Sequence, residues 1–257
     1  MEQGRIQKPL VSVIMPAYNA ERYVEEAIRS VMQQTVTDWE LLVLDDASSD
    51  STAEIVQKLA AQDSRIQLLP NDHNIGVANT RNRGFALSHG QYVALLDSDD
   101  RWYPEKLEKQ LALAERSRAD IIYCSYDIID ENGNQKCDDF IVPETTNFDS
   151  FLSKSVISCS TALLSEQIVK KYHFATDVYH EDLALWLQLL QDGYRAEGVR
   201  EVLGSYRVMS GTRASNKLKS ACNRWRIFRK YLHLPIGKSV MALLDYAMMG
   251  LKKYKKI

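Results

Sequence analysis

The sequence predicts an α/β fold: a mostly parallel central sheet with helices on both faces, followed by C-terminal amphipathic helices. Three observations predict it. Short apolar runs rich in β-branched and aromatic residues alternate with helix-spaced stretches from residue 10 to residue 100. The loops between them are short, the pattern of βαβ units and a parallel sheet. Three of the runs stop abruptly at polar or acidic residues, and ligands of such sheets bind outside the carboxyl ends of the strands.

The first run, Leu10-Val11-Ser12-Val13-Ile14-Met15, reads as a buried strand stopped by Pro16, with Ala17, Tyr18 and Asn19 beyond it. Residues 21–34 follow as a helix, with Val24, Ala27, Ile28 and Val31 on one face. Trp39-Glu40-Leu41-Leu42-Val43-Leu44 is the second strand and ends in Asp45 and Asp46. Several candidate N-caps between Ser48 and Thr52 open a helix through residue 63. A short third strand spans 65–70, a polar turn spans 71–76, and a third helix spans 77–88. The fourth strand, Gln91-Tyr92-Val93-Ala94-Leu95-Leu96, runs into Asp97-Ser98-Asp99-Asp100. Past this point the pattern loosens. A helix over 104–116, a strand over 120–126 and a hairpin turn at Asp130-Glu131-Asn132-Gly133-Asn134 are legible, whereas 135–150 carry no signal. A strand over 159–164, a helix over 165–172, a helix from Leu183 and an edge strand over 202–209 complete the body.

Composition narrows the classes. The 45% hydrophobic and 26% charged content is that of an ordinary soluble globular protein. Cys124, Cys137, Cys159 and Cys222 form no Cys-x-x-Cys pair, so a reducing compartment is expected over a disulfide framework or zinc site. The polar residues 1–8 lack a signal-peptide core, which points to the cytoplasm. No Gly-x-Gly-x-x-Gly follows the first strand, so a dinucleotide site is not expected. Gly237-Lys238-Ser239 ends like a phosphate-binding loop, but Leu232 stands where that motif requires glycine.

The chemistry concentrates at Asp97, Asp99 and Asp100. Unpaired carboxylates cannot follow a strand into a core, so the acids should project at a surface crevice. Clustered carboxylates repel unless a cation sits among them, and hard oxygen donors suit magnesium or manganese. The competing reading is a strand end followed by a helix cap near Pro104.

Four ordered segments carry a family resemblance: Val11 to Asn19, Asp45-Asp46-Ala47-Ser48-Ser49-Asp50, Asn74-Ile75-Gly76-Val77-Ala78 with Arg81-Asn82, and Leu96 to Asp100. Over residues 9–210 the chain resembles a family 2 glycosyltransferase of the nucleotide-sugar transferase (GT-A) fold, of the bacterial surface-polysaccharide (O-antigen and teichuronic acid) type. The resemblance implies a nucleotide-binding half, 9–100, and an acceptor half, 101–210. It implies that Pro16, Ala17 and Tyr18 wall the base pocket, that Asp46 contacts uracil while Asp45 supports the loop, and that Ala78 and Arg81 face the donor, Arg81 at its diphosphate. Tyr18 packing over the sheet edge, and Arg81 as a surface charge, are the plainer alternatives. The family's Asp-x-Asp corresponds to Asp97-Ser98-Asp99. Asp97 and Ser98 then border the nucleotide sugar, and Asp99, with Asp100 as a second candidate, holds Mn2+ or Mg2+. The Glu181-Asp182 pair corresponds to the family's acidic pair, which makes Asp182 the base that takes the acceptor proton; stabilising a helix N-terminus is the alternative. Arg207 and Arg213 are candidates for the diphosphate beside a mobile loop at 210–215. The Gln-x-x-Arg-Trp motif of processive members is absent.

Residues 211–257 carry twelve Lys or Arg and one acid, Asp245, against 20 basic and 33 acidic residues elsewhere. Two basic amphipathic helices on an anionic membrane fit this pattern, and a helical hairpin packed on the catalytic body or a dimer partner is the alternative. Nucleic acid is not an expected partner. The implied function is inverting, metal-dependent transfer from a UDP-sugar to a lipid-linked saccharide at the inner face of the cell membrane. A sugar nucleotidyltransferase and a non-catalytic nucleotide-sugar or glycan-binding protein are the competing classes.

Overall fold

The structure, a computed structural model, describes residues 8–209 and 217–254. Its first half alternates β1 (Val11–Ala17), α1 (Val24–Met32), β2 (Trp39–Asp45), α2 (Thr52–Ala60), β3 (Ile66–Leu68), α3 (Val77–Leu87) and β4 (Tyr92–Leu95). These strands lie in the order β3-β2-β1-β4, all parallel. Side chains alternate across the sheet: Val11, Val13 and Met15 join α1 and α2 in one core, while Ile14, Leu42 and Leu95 join Ala78 and Phe85 of α3 in the other.

Two local readings are corrected here. β1 does not stop at Pro16 but runs to Ala17, paired with β2 throughout, whereas its pairing with β4 ends at Ile14. Pro16 therefore lacks its N–H where no strand remains to receive it. Helix α1 begins at Val24 rather than 21, because the Ala20 and Glu21 amides donate to Thr52 Oγ1 and Asp50 Oδ2.

The second half holds β5 (Arg101–Trp102), α4 (Lys106–Ser117), β6 (Ile121–Ile129), β7 (Gln135–Phe140), β8 (Thr145–Thr146), α5 (Phe148–Ser153), a 3-10 turn (Cys159–Thr161), β9 (Leu163–Ser165), α6 (Glu166–Lys171), α7 (Glu181–Gln191) and β10 (Ala196–Arg207). Beyond β4 the sheet continues β9-β6-β10-β5 with mixed directions. The expected hairpin turn joins β6 to β7, with Gly133 at φ 85°. β7 is silent in the sequence because it is an exposed edge strand of polar residues. The segment at 159–164 is a tight turn followed by β9, not one strand. The predicted edge strand at 202–209 is the end of the twelve-residue interior β10, flanked by β6 and β5. A register shift between Val199 and Val202, at exposed Arg200 and Glu201, hides its first half from a periodicity reading.

The C-terminal segment forms α8 (Lys217–Arg226), a π-helical turn (Ile227–Tyr231) and α9 (Ile236–Tyr254). Ile227 and Phe228 are fully buried, and with Leu232 and Leu234 they share a core with Trp186 of α7. The body and the first part of the basic segment thus fold as one unit, which is the packed-hairpin alternative. Arg213 and the loop at 210–215 lie outside the described residues.

Candidate active site

Loops at the carboxyl ends of β1, β2 and β4 meet on one rim. The Asp46 amide donates to Ala17 O, and the Leu96 amide to Ile14 O, so each loop leaves the sheet at a fixed height. Asn19 and Ala47 both adopt positive φ, at 49° and 60°, and their loops are tied together by Asn19 N to Ser48 Oγ and Ser49 N to Asn19 Oδ1. Asp45 accepts from Ser48 and supports this loop. Pro16 and Ala17 are buried beneath the rim, and Tyr18 is 54% exposed above it, a free face at the expected base pocket.

Asp46 is buried and strongly engaged. Its Oδ1 accepts from Ile75 N and Asn71 Nδ2, and its Oδ2 accepts from Gly76 N. The carboxylate thereby organises the turn that delivers α3, with Ala78 in its first helical turn, and keeps about one of its four acceptor positions for a further donor.

The acidic loop after β4 divides into two kinds of carboxylate. Asp100 is 2% exposed, with Oδ1 accepting from Arg207 N and Oδ2 from Ser160 Oγ. Burial, then Asp99 and Asp97, push its carboxyl well above the usual range. It anchors the loop from inside, with both carboxylate oxygens engaged by protein donors. Asp97, Ser98 and Asp99 are half-buried. Burial, and next the neighbouring Asp97 charge, raise the Asp99 carboxyl to about 6.

The two arginines read as diphosphate contacts have other partners. Arg207 is buried: Nε donates to Asp99 O, Nη1 to Asp130 O and Nη2 to Glu26 Oε2 at 2.6 Å, and the guanidinium lies over the Tyr23 ring. Its fork is filled by protein acceptors because β10 is interior rather than an edge. Arg81 is 4% exposed, donating from Nη1 to Glu181 Oε1 at 2.8 Å and from Nη2 to Asp97 Oδ1 at 2.5 Å. It is neither a surface charge nor open to a phosphate through those nitrogens; it joins the acidic loop to α7.

Asp182 occupies the first turn of α7, half-buried, with Oδ1 accepting from Leu183 N. Burial raises its carboxyl above the ordinary range, and Asp97 adds to this, against the opposing pull of the Leu183 amide and Arg81. A poised carboxylate at a helix N-terminus, electrostatically linked to the strand-end acids, can hold a proton delivered by a hydroxyl.

A family model described as "Glycosyl transferase family 2" matches residues 12–172. The chain belongs to glycosyl transferase family 2. This glycosyltransferase is 36% identical over 246 residues, 95% of each chain, to the Escherichia coli protein WfgD, named a UDP-Glc:alpha-D-GlcNAc-diphosphoundecaprenol beta-1,3-glucosyltransferase. It is 37% identical over 248 residues to Bacillus subtilis TuaG, named for teichuronic acid biosynthesis, covering 96% of this chain and 98% of that relative. The S. aureus TarS 1-349 structure in complex with UDP-GlcNAc superposes with a TM-score of 0.74 at 20% identity, over 92% of this chain and 71% of that one. That superposition supports the GT-A architecture of the family 2 glycosyltransferase.

Two residues of the site escape a reading of the sequence. Glu181 stands in the acidic pair, but its role as partner of Arg81 is set by tertiary packing. Ser160 carries no signal, since its Oγ serves both the Asp97 amide and Asp100 through a turn that reads as strand.

Proposed function

We propose that this glycosyltransferase moves one sugar from a UDP-sugar, with inversion, to a hydroxyl of a saccharide carried on a polyprenyl diphosphate, in the assembly of a bacterial surface polysaccharide. The observation that carries the reading is the joining of Asp97 at the donor rim to the Glu181-Asp182 pair of α7 through Arg81, which bonds Asp97 and Glu181. Pro16, Ala17 and Tyr18 form the base side of the donor site, Asp46 offers its remaining acceptor position to the uracil N–H, and Ala78, Asp97 and Ser98 border the ribose and diphosphate. Asp182 takes the acceptor proton as the new C1–O bond forms and the bond from C1 to the diphosphate oxygen breaks, with the electron pair leaving on UDP. WfgD and WfaP, both named as UDP-Glc transferases to GlcNAc-diphosphoundecaprenol, support the donor and acceptor classes.

The donor set fits a divalent cation. Asp99 and Asp97 present hard oxygens whose mutual repulsion helps raise Asp99, and a cation relieves that repulsion. Among the described residues no group of three His, Cys, Asp or Glu could hold a metal, so Mn2+ or Mg2+ here would share its ligands with substrate. Asp99, with Asp97, would hold such an ion, which would supply positive charge opposite a departing diphosphate. The test is release of UDP from UDP-glucose with a GlcNAc-diphosphate lipid acceptor, with Mn2+, Mg2+ or EDTA. UDP formation is expected to need metal and to fall by at least about a hundredfold in Asp99→Ala, within the range of such electrostatic contributions. Release of inorganic diphosphate instead would make the protein a nucleotidyltransferase.

The acceptor class also favours the cytoplasmic face of the membrane as the place of reaction. No helix of the described residues is long and apolar enough to cross a bilayer. Ile236, Val240, Met241 and Leu244 are exposed at helical spacing on α9, and the sequence following them is lysine-rich. This face rests on anionic lipid. Flotation with vesicles rich in phosphatidylglycerol is expected to drop at least about tenfold for Met241→Glu/Leu244→Glu, because two apolar side chains no longer pass from water into the lipid. Unchanged flotation would move the attachment elsewhere.

A further inference from the structure

Helix α8 is fastened to the N-terminus of α7, just before the acidic pair. The Tyr179 amide donates to Asn223 Oδ1 at 2.7 Å, and His180 Nε2 lies 2.7 Å from Ser220 Oγ. Arg224 follows on the same helix. It is 8% exposed, its guanidinium stacks on the Tyr246 ring at 3.9 Å, and Nη2 reaches Ser155 Oγ at 3.3 Å. Its Nε and Nη1, and the Nδ2 of Asn223, are buried with no hydrogen-bond partner among the described residues. Arg224 has the Tyr246 side chain as its nearest electrostatic partner, with Asp182 and His180 as further neighbours. No carboxylate is paired with it among the ion pairs of the described residues.

A buried guanidinium with unused donors is costly to maintain, and a group that meets several of them with charged oxygens recovers that cost. Guanidinium groups bind phosphate oxygens in two-point geometry. The position is also informative. Arg224 lies on the Asp182 side, in the C-terminal segment, whereas the donor rim is built from β1, β2 and β4. Ser155, its hydrogen-bond partner, is exposed, so the guanidinium borders the surface.

We propose that Arg224, with the side-chain amide of Asn223, forms an anion subsite on the acceptor side of the active site and binds the phosphate of a diphosphate-linked acceptor. This rests on the function proposed above and assigns the recognition of the acceptor's charge to the C-terminal segment. It also gives α8 a reason to be docked on α7: the helix that binds the acceptor's phosphate is tied to the helix that carries the base.

The test uses the full chain saturated with UDP and Mn2+, so that the donor site is filled. Two probes carry the same N-acetylglucosamine, one linked through diphosphate to a short alkyl chain, the other an uncharged alkyl glycoside of equal length. Calorimetric titration is expected to show at least about tenfold tighter binding of the charged probe, the order of one charge-assisted contact. Arg224→Gln is expected to reduce that preference to about twofold or less, and Arg224→Lys to retain part of it. Asn223→Asp keeps the acceptor for the Tyr179 amide but sets a carboxylate beside the guanidinium, and it should lose the preference as well. Should Arg224→Gln fail to fold, as judged by thermal melting, the lysine and Asn223 variants decide. Equal binding of the two probes by the native protein, or equal weakening of both by these variants, would overturn the subsite. A protein that binds UDP but shows no preference overturns this inference alone; one that binds no UDP overturns the proposed function and the subsite together.

Discussion

Replacing Asp182 with Asn is expected to lower turnover by about a thousandfold, in the middle of the range for loss of a general base. UDP-sugar affinity should change by no more than about threefold. The amide is nearly isosteric, and its Oδ1 can still accept from Leu183 N, so the first turn of α7 keeps its geometry. What is lost is the ability to take a proton. The native enzyme should also show an acidic limb in its pH–rate profile, displaced upward from an ordinary aspartate, because burial and Asp97 raise the Asp182 carboxyl. The sign follows from the role: a base works only when deprotonated, so activity is lost as pH falls through the raised pKa. The variant should lose that limb. Steady-state UDP release across pH, with donor binding measured separately, checks both points. If Asp182→Asn turned over within tenfold of the native enzyme, the base would have to be another group, and Asp182 would revert to stabilising the helix end.

The parallel half of the fold was readable because β1, β2 and β4 are buried on both faces and appear as nearly continuous apolar runs, as in Val93-Ala94-Leu95-Leu96. The acceptor half was readable only in part, as at α4, the start of β6 and the hairpin turn, and particular residues show why the rest was not. Exposed β7 carries no apolar pattern, and β10 is interrupted by Arg200 and Glu201 at a register shift. The site divides along the same line. Asp97, Asp99 and Asp182 stood out because acids next to apolar runs are conspicuous in one dimension. The inward turn of Asp100 and the buried partners of Arg207 could not be read, since they depend on Ser160, Glu26 and Asp130, which are remote in sequence. The basic segment was legible only in part for a related reason: its charge is visible in composition, whereas the burial of Ile227 and Phe228 is decided by their packing in one core with Trp186.

The largest effect on stability is expected at Arg81. Arg81→Leu leaves Asp97 Oδ1 and Glu181 Oε1 without the shared cation that now joins them. Breaking a buried pair in this way costs about 3–5 kcal/mol, since a carboxylate is left in a poorly solvating site. For a chain of this size that corresponds to a fall of about 10 °C in melting temperature. Burial already raises the Glu181 carboxyl, and Arg81 is the main influence opposing it. In the variant Glu181 should therefore take up a proton, and stability should recover in part at lower pH. Catalysis should suffer separately from folding. One planar guanidinium fixes Asp97, on the donor side, and Glu181, the residue before the base, so the distance between the two halves of the reaction is set by a rigid fork. Arg81→Lys separates the contributions. A lysine can restore charge but not the two-pronged geometry. It should regain most of the lost melting temperature while turnover stays at least about tenfold low, the cost of a small misplacement between reacting groups. Melting curves and kcat for the three proteins decide the matter. If the lysine variant matched the native enzyme in both, a point charge would suffice and the fork would have no part in aligning Asp182 with the donor.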